Sequence, residues 1–196
     1  MKTTTLTTTP KKTTTPRNPA IPKTLTVMVD SREKHRVPFP KTFLWYHKGK
    51  KYLMSVETQA VQMETGDYAL AGYEHLAVVE RKGSWDEIFL NLCTSDAWRS
   101  HKAFKRLHDV PRHLVVLDFP LSSKISSKNL AMNPDRVYDS FVEFMEVGGY
   151  RWCVMPRGTT NKTAVKLGEW IVRWLWNTAF LLEQGKVTND NTLPKP

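Results

Sequence analysis

The stretch of sequence that decides the fold is GDYALAGYEHLAVVERKGSWD, which occupies residues 66–86. Residues 66–70 are followed by a short turn, and residues 75–82 are apolar and β-branched until they reach a charged end. Short apolar runs of this kind, separated by a glycine-containing connection, are typical of two paired strands. The segment therefore predicts two antiparallel strands.

The charged residues of this segment form a candidate metal site. Because side chains alternate between the faces of a strand, we expect Glu80 and Lys82 on one face and Arg81 on the other. Mg²⁺ prefers oxygen ligands and retained waters, and the carboxylates of Asp67 and Glu80 with the backbone carbonyl of Arg81 can supply the oxygens. Lys82 would lie beside a metal-bound water. There it would orient or deprotonate that water, or stabilise the negative charge that develops on a phosphoryl group when the water attacks it.

A second acidic strand end lies upstream. Residues 25–29 have the composition of a buried strand, and they run directly into Asp30-Ser31-Arg32-Glu33. An isolated Glu-x-Lys pattern is more often a solvated, salt-bridged strand end than a functional site. Carboxylates that end several buried strands, however, gather at one edge of a sheet, which favours a functional site here.

Three motifs in this order resemble the XPF-type nucleases, a branch of the restriction-endonuclease-like PD-(D/E)xK superfamily. The motifs are Val29-Asp30-Ser31-Arg32-Glu33, Gly66-Asp67-Tyr68, and Glu80-Arg81-Lys82 followed after three residues by Asp86. The resemblance covers about residues 25–120. It implies an α/β fold with a restriction-endonuclease-like core, in which a mixed central sheet is flanked by helices.

The resemblance also implies roles for individual residues. Asp67 and Glu80 match the main metal ligands of the family, and Lys82 matches its catalytic lysine. Asp30 and Glu33 match accessory acidic positions that support the metal and its waters. The implied cofactor is Mg²⁺, for which Mn²⁺ can substitute.

Basic residues around these motifs are candidates for DNA binding. Arg81 matches an arginine that the family needs for activity, but alternation turns its side chain away from the metal, so we expect a supporting or DNA-contacting role. Residues 96–108 read as a basic helix, in which Arg99 matches a substrate-positioning arginine. A plain solvated face explains that helix equally well. The full candidate set for DNA binding is Arg32, Arg81, Arg99, Lys102, Lys105 and Arg106.

The rest of the chain supplies further elements of an α/β domain. Residues 42–46 and 51–56 predict an inserted hairpin with a basic tip that either contacts DNA or blunts a sheet edge. Residues 113–119 predict a central strand that ends near Asp118, which we do not expect to be a ligand. Residues 160–182 predict a long C-terminal helix packed on the sheet, with a dimer interface as the alternative.

Composition limits the class of protein. The chain has 196 residues and a net charge of +10. Residues 1–23 hold five basic residues and no acids, so the remainder, with 24 basic and 19 acidic residues, is only moderately basic. This balance favours a polyanionic partner. Neither Cys93 nor Cys153 indicates a zinc site or a disulfide framework.

The predicted organisation is a single domain with tails. Residues 1–23 form a Thr/Pro/Lys-rich tail that we expect to be disordered, residues 24–185 form the XPF-like nuclease domain, and residues 186–196 form a flexible C-terminal tail. We expect an intracellular protein, not a secreted or membrane one, located in the cytoplasm of a prokaryotic or virus-infected cell or in a nucleus.

The sequence thus predicts a metal-dependent endonuclease that hydrolyses DNA phosphodiester bonds. The resemblance suggests branched, flap or fork structures in repair, recombination or replication, with single-strand/double-strand junctions and a homodimer or partner protein. The alternative is a catalytically silent module of the same fold that binds or recruits branched DNA. The intact set of acids and lysine favours the enzyme, because buried like charges repel one another without a cation.

Overall fold

The computed structural model describes residues 20–126 and 133–186. The predicted terminal tails lie almost entirely outside these ranges, so the division into domain and tails stays a prediction. The strands are β1 (Thr24–Asp30), β2 (Thr42–His47), β3 (Lys50–Val61), β4 (Tyr68–Leu70), β5 (Ala77–Lys82), β6 (Arg112–Leu117) and β7 (Trp152–Val154). The helices are α1 (Trp85–Leu92), α2 (Ala97–His108), α3 (Pro134–Gly148) and α4 (Asn161–Glu183).

The strands form a mixed seven-stranded sheet in the order β2-β3-β1-β4-β5-β6-β7. β4 pairs antiparallel with both β1 and β5, as the segment at residues 66–82 predicts. β5, β6 and β7 run parallel to one another. The predicted α/β class, with a mixed central sheet flanked by helices, is confirmed.

The inserted hairpin is part of this sheet. Lys48 and Gly49 both have positive φ angles, 48° and 74°, which is the backbone of a two-residue hairpin turn. β3 runs on to Val61, beyond the predicted end at residue 56, because its outer half pairs in parallel with β1. Residues 57–60 are exposed, and Glu57, Thr58 and Gln59 are polar, so this segment has no apolar alternation that would predict a strand.

The two faces of the sheet carry separate apolar cores. α1, α2 and α3 cover one face, where Val78 of β5 packs with Phe104 and Phe141. α4 covers the other face, where Val79 packs with Trp176. The long C-terminal helix is therefore a core element, as predicted. Within the described ranges, no helix is long and apolar enough to cross a membrane.

One glycine allows α4 to approach the chain that follows β1. Gly168 lies against the backbone of Pro38, and a Cβ atom added to Gly168 would be 2.1 Å from the Pro38 carbonyl oxygen. Only a glycine permits so close a contact. The segment between β1 and β2 is thereby held directly on α4.

Candidate active site

The predicted acidic residues meet at one edge of the sheet. Asp30 ends β1, Asp67 precedes β4, and Glu80 and Lys82 end β5. Since β4 is antiparallel to both neighbours, its start lies beside the ends of β1 and β5. Backbone hydrogen bonds fix this arrangement, because Asp30 N donates to Asp67 O at 2.9 Å and Asp67 N donates to Val79 O at 2.8 Å.

An open cleft of about 250 Å³ lies at this edge. Its floor is acidic, and α2 forms one wall through Ala103 and Arg106. The remaining lining residues are Asp30, Arg32, Glu33, Glu64, Thr65, Gly66, Asp67 and Glu80. The cleft therefore gathers all four predicted acids together with two of the basic candidates.

Asp67 is a half-buried acid of the cleft. Its Oδ2 accepts a hydrogen bond from the backbone N–H of Arg81 at 2.7 Å. Burial, and then the neighbouring Glu80 carboxylate, raise the pKa of Asp67 well above its ordinary value. Without a cation, the charged form of this acid is unfavourable, which is the electrostatic situation that a bound metal ion relieves.

Lys82 is buried and paired with acids. Its Nζ donates to Glu80 Oε1 at 2.8 Å and lies 3.4 Å from Glu87 Oε1. Burial alone lowers the pKa of the Lys82 ammonium, but the Glu80 and Glu87 carboxylates outweigh burial and raise that pKa above its ordinary value. Lys82 is therefore charged at neutral pH. Of its predicted roles, orientation and charge stabilisation fit this state, whereas proton abstraction needs the neutral amine.

The two accessory acids are held in ion pairs. Asp30 Oδ2 accepts from Arg32 Nη2 at 2.6 Å, and Arg32 also bonds the Met63 carbonyl at 2.7 Å. Burial alone raises the pKa of Asp30, but its hydrogen bonds from Arg32 lower it overall. Glu33 Oε1 lies 3.4 Å from Arg81 Nη1. Both acids line the cleft, and each already has a positive partner.

Arg81 belongs to a buried ion-pair network behind the cleft. Its Nε donates to Asp118 Oδ2 at 2.6 Å, and the exposed fractions of these two side chains are 7% and 4%. Arg157 Nη2 approaches the same Asp118 oxygen at 2.9 Å and also donates to the His35 carbonyl at 2.6 Å. This enclosure favours the supporting role that was the predicted alternative for Arg81, and its DNA contact stays a prediction.

Sequence reasoning missed the participation of Asp118 and Arg157 in this network. The end of β6 beside β5 was a signal for Asp118, which does not line the cleft. Arg157 follows β7 and carries no local signal. α1 begins after Ser84, whose side chain caps the helix by accepting from the Glu87 N–H at 3.1 Å.

Two hydrogen bonds hold the backbone of the loop between β1 and β2. The Tyr68 hydroxyl accepts a hydrogen bond from the Val37 N–H at 3.0 Å, and Arg157 holds the His35 carbonyl. Tyr68 is itself fully enclosed in the core. Glu33 is thus carried on a loop whose backbone is held at His35 and Val37.

The basic residues of α2 divide between the cleft and the solvent. Arg106 is half-buried in the cleft wall, where its Nε donates to the Glu64 carbonyl at 3.3 Å. Arg99, Lys102 and Lys105 are exposed. Their predicted DNA contacts stay predictions, and their positions leave them accessible to a ligand.

The donor set can accommodate Mg²⁺. No three His, Cys, Asp or Glu side chains in residues 20–126 and 133–186 are arranged as a ready-made metal cage. Mg²⁺ usually keeps several waters and is bound through one or two carboxylates, a need that Asp67 and Glu80 match. The N–H and C=O of one strand residue point the same way, so the bond from Arg81 N to Asp67 also turns the Arg81 carbonyl towards Asp67.

Comparison with known proteins identifies the fold. No family model matches the chain, and no curated protein matches it. Among solved structures, XPF from Aeropyrum pernix is similar with a TM-score of 0.50 and 17% identity over 76% of this chain and 60% of that one. XPF from Aeropyrum pernix in complex with DNA is similar with a TM-score of 0.50 and 16% identity, over 78% and 66% of the two chains. The chain thus spans 60–66% of the length of these structures. It has the fold of an XPF-type nuclease domain.

Proposed function

We propose that this chain is a metal-dependent endonuclease that hydrolyses phosphodiester bonds in DNA. One observation carries the proposal: Asp67 and Glu80 share an open cleft, and the charged amine of Lys82 is bonded to Glu80. Two carboxylates and one amine at a sheet edge are groups that metal-assisted phosphoryl chemistry can use. The raised pKa of Asp67 supports it, because a bound cation would relieve the repulsion between the Asp67 and Glu80 carboxylates.

Each residue has a distinct task in this proposal. Asp67 and Glu80 would hold Mg²⁺ or Mn²⁺ together with the Arg81 backbone carbonyl, and Asp30 and Glu33 would support the site from its rim. The bound ion would supply a water of lowered pKa and polarise a phosphoryl oxygen. Lys82 would orient the attacking water and stabilise the negative charge that develops on the phosphoryl group. The Arg81 side chain would position the backbone that carries this site.

The proposed substrate is branched DNA such as flaps or forks, acted on in repair, recombination or replication. The motif resemblance supports this class, and the similar Aeropyrum pernix protein has been solved in complex with DNA. Exposed Arg99, Lys102 and Lys105 beside the cleft suit a phosphate backbone. A homodimer or a partner protein, and an intracellular location, belong to the same proposal.

A DNA-binding module without turnover is the second candidate. It is favoured by the ion pairs of Asp30 and Glu33, which satisfy two of the acids without a metal. The enzyme is the better explanation of Asp67, because a module gains nothing from an acid whose charged form is opposed by desolvation and by Glu80.

Cleavage of end-labelled DNA separates the two candidates. Flap, fork, duplex and single-stranded DNA are incubated with the protein in Mg²⁺, in Mn²⁺ and in a chelator. We expect cuts only with metal, and a loss of at least about 100-fold in rate for Lys82→Ala and Asp67→Asn. Asp139→Asn, an exposed acid on α3, is the matched control and should keep full activity. Tight binding of every DNA without any metal-dependent scission would favour the module instead.

A further inference from the structure

An exposed tryptophan lies on the basic helix beside the cleft. Trp98 of α2 is 60% exposed. All seven tryptophans fall within the described ranges, and the other six are buried or half-buried. Tryptophan is enriched at binding interfaces, because its ring combines a large apolar face with a polar N–H.

The turn of the helix places Trp98 next to the candidate phosphate contacts. Residues three and four apart share one face of a helix, so Trp98, Lys102 and Lys105 point outward together. Arg99 and Arg106 are two helical turns apart and so share the adjacent face of α2, and Arg106 lines the cleft. The Arg99 guanidinium is 5.4 Å from the centre of the Trp98 ring. The Trp98 ring therefore adjoins a row of basic side chains that begins at Arg106 in the cleft and continues to Arg99.

The charge on this surface is almost all positive. Neither Lys102 nor Lys105 forms an ion pair with any residue in the part of the chain that the structure describes. Arg99 lies 3.8 Å from Asp96, and both side chains are largely exposed, so that pair neutralises little. The surface thus combines an aromatic face with available cations. Single-stranded nucleic acid is recognised by this combination, through base stacking on the ring and phosphate contacts with the cations.

We propose that Trp98 stacks on an unpaired base of a DNA strand that leaves the cleft, while Lys102 and Lys105 contact its phosphates. The inference rests on the proposed function, because it assigns the substrate's single-stranded arm to this face of α2. A base inside a duplex presents only its edges, so Trp98 distinguishes the unpaired arm from the paired one. A protein partner is less well matched, since three neighbouring cations favour a polyanion.

Binding measurements in a chelator test this without any cleavage. Fluorescence anisotropy reports the affinity of the protein for a labelled single strand, a fork with a single-stranded arm and a blunt duplex. We expect Trp98→Ala to weaken binding to the single strand and the fork about 5- to 100-fold, the loss associated with one stacked base. Trp98→Phe should restore most of the affinity, and duplex binding should stay unchanged. Leu53→Ala, which truncates a 67%-exposed side chain on β3, is the control.

A fork whose arm lacks bases sharpens the test. On that fork, wild type and Trp98→Ala should bind equally, because the ring has no base to stack on. A change of less than twofold on the single strand, an equal loss on duplex, or an unchanged deficit on the abasic arm would overturn the inference. Those outcomes leave metal-dependent cleavage of DNA intact. Failure of cleavage with normal Trp98-dependent binding would instead remove only the enzyme proposal, and failure to bind any DNA would remove both.

Discussion

Replacing Asp118 by asparagine removes the central negative charge of the network behind the cleft. Asp118 Oδ2 lies 2.6 Å from Arg81 Nε and 2.9 Å from Arg157 Nη2. Asparagine has nearly the same shape, so the packing is kept while the charge is lost. The variant therefore measures how much the free energy of unfolding falls when the buried Arg81 guanidinium loses its main charged partner.

The expected loss of stability follows from the burial of the pair. Removing one partner of a buried ion pair costs about 3–5 kcal/mol, because the other charge is left uncompensated. Arg81 keeps Glu33 at 3.4 Å, and the asparagine oxygen can still accept one hydrogen bond. We therefore expect the lower limit, about 3 kcal/mol. With a urea dependence of about 2 kcal/mol per molar, the unfolding midpoint would fall by about 1.5 M.

Two further variants separate the charge effect from general damage. Arg157→Met removes the partner whose side chain is 25% exposed, so the expected midpoint shift is below about 0.5 M. Combining Asp118→Leu with Arg81→Met replaces the whole pair by apolar groups and should recover most of the stability. Unfolding is followed by far-UV circular dichroism at pH 7 without metal.

A small effect of Asp118→Asn would contradict the expected cost of leaving Arg81 uncompensated. A midpoint shift of less than about 0.5 M would mean that Arg81 is adequately compensated by Glu33 and water. A shift for Arg157→Met as large as that for Asp118→Asn would also contradict it, since the more exposed partner would then carry the network.

Two other predictions concern the cleft and the contact of α4. Metal-free Asp67→Asn should melt at a higher temperature than wild type at pH 7. The raised pKa of Asp67 means that its protonated form stabilises the folded protein. That contribution is complete below a pH of about 4 and is lost as the pH rises towards the folded-state pKa. Mg²⁺ should raise the Tm of wild type alone, and equal Tm values at pH 7 would count against the buried charge. Gly168→Ala should lower the free energy of unfolding by about 1–3 kcal/mol, because the added methyl group clashes with Pro38. The higher helix propensity of alanine, about 1 kcal/mol, offsets part of the clash. Lys162→Ala, an exposed change in the same helix, should stay within about 0.5 kcal/mol, and a stabilised Gly168→Ala would show that the contact can relax.

The local chemistry of the site could be predicted because it depends on short-range geometry. Alternation along one strand is enough to place Glu80 and Lys82 on the same face, and the hydrogen bond between their side chains agrees with it. The antiparallel pairing of β4 with β5 follows from a short turn between apolar runs. These features need no knowledge of distant residues.

The surroundings of Arg81 could not be predicted in the same way. Alternation places the Arg81 side chain on the face opposite Glu80 and Lys82, but it could not show which residues lie on that face. Its partner Asp118 is set by the parallel register of β5 and β6, in which Lys82 pairs with Leu117. Arg157 reaches the same carboxylate from beyond β7, and its contact depends on the packing of the whole sheet. Non-local registers of this kind leave no periodic signal in the sequence.

The anchored loop after β1 has a consequence for ligand affinity. Tyr68 and Arg157 fix the backbone at Val37 and His35 before any ligand arrives. Ordering a free loop on binding would sacrifice about 1–2 kcal/mol of conformational entropy for every residue immobilised. Here that entropy is already lost when the chain folds, so Glu33 is preorganised, and the cation of the proposed site would bind without ordering this loop.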